Sequence, residues 1–107
     1  MEPLASHPYY KVEREVTSID QQNVEYERVM HLYEDKLVTH RREFPAEIIF
    51  DMSFRELGKS EALLYVHTSR GVFSYQVKQD PTNFIEAFKQ LEKRILDREA
   101  KKYDHLK

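Results

Sequence analysis

Apolar and polar residues alternate along most of this chain, and the alternation predicts strands before anything else. Between Tyr9 and Val16, Tyr10, Val12 and Val16 share one parity while Lys11, Glu13 and Glu15 take the other, the mark of a half-buried strand. Val24, Tyr26, Met30 and Leu32 share a parity in the next run, which Arg28 interrupts. Thr17–Asn23, between these runs, is polar and reads as a loop. Glu34-Asp35 offers a tight turn, after which Leu37–Glu43 folds back with Leu32 and Leu37 on one inner face. Phe44-Pro45 closes that strand, because proline donates nothing to a ladder. Ile48, Phe50, Met52 and Phe54 then alternate with Ile49, Asp51, Ser53 and Arg55. A final hairpin turns at Ser69-Arg70-Gly71, where glycine adopts positive φ at little cost. It sets Leu64 and Val66 on the same face as Phe73, Tyr75 and Val77.

The period changes once, after Val77. Asp80 is a natural helix N-cap and Pro81 suits the first helical position, where its missing N–H costs nothing. No glycine or proline follows, so the helix is predicted to run from Pro81 to about Glu99. Phe84, Phe88, Leu91 and Ile95 form one stripe along it, and their burial contributes roughly 6–12 kcal/mol. Ile85, Leu96 and Tyr103 form a second, offset stripe, of which Ile85 reads as core. The pattern divides the chain into a loose leader (1–8), a single domain (9–99) and a charged, frayed tail (100–107). The fold class is α+β: a bent antiparallel sheet or partly open barrel of six or seven strands, closed by one C-terminal amphipathic helix.

Composition narrows the partners. A chain of 107 residues is one domain by size. Its 17 basic and 19 acidic residues leave a net charge of −2, which argues against nonspecific nucleic-acid binding. Having no cysteine, it can form neither disulfides nor thiolate metal sites, and the composition fits a reducing cytoplasm. No apolar run has the length of a membrane span. The first residues lack the basic start and apolar segment of a signal peptide, so a cytoplasmic location is expected. Two glycines, Gly58 and Gly71, are too few for a glycine-rich phosphate loop.

Candidate chemistry is sparse. Val29, His31, Tyr33, Val38 and His40 share the parity opposite Met30, Leu32 and Leu37, a face apolar enough to be covered or to bind something. Arg28 and Arg41 fall on the presumed inner face, against the pattern, and a bulge there would reverse either segment. His31 and His40 have matching parity on strands expected to pair. With a third ligand they could hold a transition metal, but nothing in the sequence supplies that ligand. His40-Arg41-Arg42 is the compact basic cluster. It suits a phosphate or an acidic peptide, or it guards an exposed edge against aggregation. Ser53, Ser60, Ser69 and Ser74 lack a nucleophile-elbow context. The chain is therefore read as a non-enzyme, with no catalytic, cofactor or metal residue nominated. Val29, His31, Tyr33, Val38, His40, Arg41 and Arg42 form the candidate interaction surface. The alternative is a small-ligand or metal-binding protein centred on His31 and His40.

Leu32–Thr39 resembles the strand-turn-strand of small bacterial pleckstrin-homology-like domains, and Phe44–Met52 resembles the proline-led strand that follows it. Phe73–Val77 with Asp80–Phe88 resembles their final strand and closing helix. The resemblance spans about residues 24–96 and rests on element order. It implies a non-catalytic bacterial scaffold that binds a protein partner or self-associates. Eukaryotic pleckstrin-homology domains usually carry a tryptophan in the closing helix, and this chain has none. Members that bind phosphoinositides carry basic residues around the first hairpin loop; Thr17–Asn23 has none, which argues against that ligand.

Overall fold

The computed structural model describes residues 2–16 and 21–104, the side chains of Glu15 and of residues 100–104 excepted. In them the alternating runs pair into one seven-stranded antiparallel sheet. Its strands are β1 (Ala5–Val16), β2 (Gln21–Leu32), β3 (Lys36–Val38), β4 (Glu43–Pro45), β5 (Ile49–Glu56), β6 (Ala62–Thr68) and β7 (Gly71–Val77). A 3-10 turn (Ala46–Ile48) joins β4 to β5, and the helix α1 (Thr82–Asp104) follows β7. The spatial order is β4-β3-β2-β1-β7-β6-β5, so the sheet bends but does not close, and β4 and β5 are its two edges.

Several local expectations hold. Tyr33 N–H donates to the Lys36 carbonyl at 2.8 Å, closing the turn that sets Leu32 opposite Leu37. Gly71 takes φ 126° beside the Ser69-Arg70 turn, and β6 pairs with β7 so that Leu64 faces Tyr75 and Val66 faces Phe73. Asp80 caps α1 by accepting the Thr82 backbone N–H at 2.9 Å and the Thr82 hydroxyl. Phe84, Phe88 and Leu91 are buried against Met30, Leu32, Leu37, Met52 and Leu64, with Ile95 half-buried at the margin. Ile85 joins this core, whereas Leu96 is 57% exposed. Tyr103, the last member of the offset stripe, has no described side chain.

Other expectations are corrected. The stretch 1–8 is not all leader, because β1 begins at Ala5 and His7 is buried. Pro8 removes one donor from a register of twelve pairs, too little to stop the strand. The inward parity of β1 is also the reverse of the one read from sequence. Ala5 lies opposite Leu32 and His7 opposite Met30, both buried partners, so His7 and Tyr9 turn inward and Val12 and Val16 outward. Gln21, Gln22 and Asn23, placed in the loop by their polarity, lie in β2; residues 17–20 lie outside the described residues.

The strand expected over Leu37–Glu43 is a hairpin. Thr39 N–H donates to the Arg42 carbonyl at 2.8 Å and Arg42 N–H donates to Thr39 Oγ1 at 3.2 Å, a Ser/Thr-type turn that stops β3 at Val38. β4 then returns along β3, with Val38 opposite Glu43. In β5, a bulge between Ile49 and Asp51 shifts the register, so Ile49 and Met52 are buried while Phe50 is 62% exposed. The α1 backbone runs to Asp104, beyond the predicted end; residues 105–107 lie outside the described residues.

The molecule is elongated. Its radius of gyration is 17.0 Å and its extents are 70 × 28 × 27 Å, whereas a compact domain of this length has a radius of about 13 Å. One source is the β1–β2 ribbon. β1 meets β7 at a single registered pair, Tyr10 with Gln76, while its pairing with β2 continues to Val16. Inward residues beyond Tyr9 are Lys11 and Glu13, and those of β2 before Met30 include Arg28. Val24 and Tyr26 share that face with these charges and are only half-buried, so little apolar surface draws the ribbon onto the body.

Candidate functional site

Where β1 leaves β7, a cleft of about 710 Å3 opens between the ribbon, the Thr39–Arg42 turn and β7. That volume lies in the range of small-ligand sites. Its aromatic floor comes from the core side. Tyr9 and Tyr75 line it and pack edge to face at 5.1 Å; outside the lining, Phe73 has Phe44 at 5.0 Å and the Arg42 guanidinium 4.7 Å over its ring. Burial pushes the Tyr75 phenol above its ordinary pKa, partly offset by a hydrogen bond with Thr39 and by the charge of Arg42. Tyr75 is thus a neutral, polar-tipped part of the wall at physiological pH.

Charge comes from three separate elements. β1 contributes Lys11 and Glu13, β2 contributes Arg28, and the turn contributes Arg41 and Arg42. Four permanent cations therefore share the cleft with one carboxylate, although the whole chain is net negative. Glu13 is reached by Lys11 at 4.0 Å and Arg41 at 3.9 Å, both long, exposed contacts that contribute little. Among the described residues Arg28 and Arg42 meet no carboxylate within 4.0 Å. Arg28 lies 5.3 Å over the Tyr26 ring and donates from Nη1 to the Glu27 carbonyl at 3.3 Å. His40 is pinned into the same wall by its backbone N–H, which donates to the Tyr9 hydroxyl at 2.9 Å.

The candidate surface read from sequence is split by this geometry. His40, Arg41 and Arg42 line the cleft. Val29, His31, Tyr33 and Val38 stay on the opposite face of the sheet, Val29 being 44% exposed and the others half-buried. The reason is the turn at Thr39, which ends the ladder before His40 can follow Val38 along β3. His31 Nδ1 is hydrogen bonded to Ser6 Oγ at 2.7 Å, while His40 is tied to Tyr9, so the two histidines have different neighbours. Among the described residues no three His, Asp or Glu side chains are grouped to hold a metal ion. Ser53 Oγ and His67 Nε2 are hydrogen bonded at 2.9 Å on β5 and β6, but neither His67 nor His31 meets a carboxylate within 4.0 Å among the described residues.

Lys11, Arg28, Tyr9 and Tyr75 are the cleft residues that pattern reading passed over. One signal was present: Arg28 and Arg41 violate an otherwise apolar inner parity, which is what a charged cleft beside a core looks like in one dimension. Comparison of the chain with known protein families, with curated proteins and with solved structures finds no match.

Proposed function

We propose that this chain is a non-enzymatic interaction domain, and that its contact surface is the basic cleft at the foot of the β1–β2 ribbon. The observation that carries the reading is the gathering of Lys11, Arg28, Arg41 and Arg42 beside Tyr9 and Tyr75, with no carboxylate within 4.0 Å of Arg28 or Arg42 among the described residues. Concentrating like charges costs folding energy, and a complementary anionic group removes that cost. Arginine suits such a group because its planar fork meets carboxylate or phosphate with two parallel hydrogen bonds.

A pleckstrin-homology-like scaffold is the family reading. It is supported by the element order, a four-strand meander followed by a three-strand meander and one closing helix. On this reading the helix stripe is spent on the core, which leaves the open side of the sheet for contact.

Affinity capture from the native host tests the proposal, with wild type compared against an Arg41→Glu/Arg42→Glu double variant of unchanged melting temperature. The expected result is a partner retained by wild type and lost by the variant. Identical retained sets would overturn the cleft as contact surface. Mass measurement in solution across concentration distinguishes a foreign partner from self-association.

A further inference from the structure

The cleft has a second property besides charge. Val72–Tyr75 of β7 pair with β6 on one side, and no strand of the described residues pairs with them on the other. The free edge is about 13 Å long at ~3.3 Å per residue, and it runs into the wall that Ser74 and Tyr75 form. An unpaired edge is a template for another strand, and proteins usually blunt such edges. Here the edge is left open beside Arg28 and Arg42.

We propose that the cleft takes an acidic segment of a partner protein in extended conformation, added as a strand along the free edge of β7. This rests on the reading of the cleft as the contact surface and specifies its occupant. Main-chain hydrogen bonds to β7 would supply affinity without regard to sequence. Successive side chains of an extended peptide alternate faces, so carboxylates at every second position would all point into the cleft. There they meet Arg28, Arg41 and Arg42, whose forks donate two parallel hydrogen bonds to a carboxylate. A free phosphate would use the guanidinium groups and leave the strand edge idle, so the edge favours a peptide.

Fluorescence anisotropy with three labelled heptapeptides on the wild-type protein tests this. The first alternates Glu with Thr; the second replaces each Glu by Lys; the third keeps the Glu residues but carries N-methyl groups on alternate amides. The acidic peptide is expected to bind at least about ten-fold more tightly than either of the others. It is also expected to lose about ten-fold in Arg28→Gln or Arg42→Gln, and nothing in Arg98→Gln on the exposed end of α1. Melting temperatures of the variants show that they fold, and the peptide-side comparison needs no variant at all. Equal binding of the lysine peptide overturns the charge match. Equal binding of the N-methylated peptide overturns strand addition, and complete displacement by low-millimolar inorganic phosphate identifies a phosphate site instead. If partners captured from the host depend on Arg41 and Arg42 while the acidic peptide fails to bind, the contact surface stands and this occupant is wrong.

Discussion

A bulge turns Phe50 out of a strand in which alternation places it beside Met52. Phe50 is 62% exposed while Met52, two residues on, is 1% exposed, so the two side chains do different work. Phe50→Ser is expected to change unfolding free energy by no more than ~0.5 kcal/mol, and Met52→Ala to cost ~2–5 kcal/mol. Urea denaturation of the two variants checks this; equal costs would mean that Phe50 is packed. His7 acts through protonation. It is buried beside Phe84, at a ring distance of 6.0 Å, and its Nε2 donates to the Gln79 carbonyl at 3.2 Å. Burial lowers its pKa below 6.5 despite that hydrogen bond and the nearby Asp80 charge. The unfolded chain therefore binds a proton at a pH where the folded one does not. The contribution of His7 is full above pH 6.5 and is lost as pH falls through 6.5 toward the lowered folded pKa. In melting curves between about pH 7 and pH 5, His7→Gln is expected to flatten the pH dependence of Tm.

Elements differ in how firmly they are held. Phe88 is 1% exposed at the centre of the α1 stripe, and Phe88→Ala is expected to cost ~3–5 kcal/mol. Leu96→Ala, on the exposed side, is expected to stay within ~0.5 kcal/mol. Removing the cap with Asp80→Ala is expected to cost about 1 kcal/mol. The outer ribbon, Lys11–Val16 with Gln21–Arg28, is paired strand to strand and tied to the body near its base. Those ties include Lys78 on Glu25, Lys78 at 4.4 Å over the Tyr10 ring, and Arg41 near Glu13. A two-stranded hairpin is marginal in water without a third layer. Amide hydrogens of the outer ribbon are therefore expected to exchange much faster than those of β6, which lies between two strands. Equal protection by mass-spectrometric exchange would show that something else supports the ribbon.

At the scale of the molecule, elongation and charge placement go together. The cleft exists because the ribbon departs from the body, and the ribbon departs where its inward face becomes charged. Small-angle X-ray scattering of the monomer is expected to give a radius of gyration near 17.0 Å, not the ~13 Å of a compact domain. The compact value would mean that the ribbon folds onto β7 and fills the cleft with its own side chains.

Residues near one another in the chain settled what local chemistry can settle. The Glu34-Asp35 turn, the positive φ of Gly71, the Asp80 cap and the core stripe of α1 follow from backbone preferences and short-range periodicity. Which face each strand buries was another matter. A period of two looks the same from either side of a sheet, so Tyr9 or Tyr10 fitted equally well until pairing with Met30 and Leu32 chose. The bulge at Phe50 has the same origin, since it depends on register with β6, whereas the break at Thr39 is a local turn with Arg42 that alternation does not mark. The cleft lies furthest from sequence. Lys11, Arg28, Arg42 and Tyr75 come from β1, β2, a turn and β7. Only the tertiary structure, by bending one sheet and letting one ribbon leave it, puts their charges and rings around a common space.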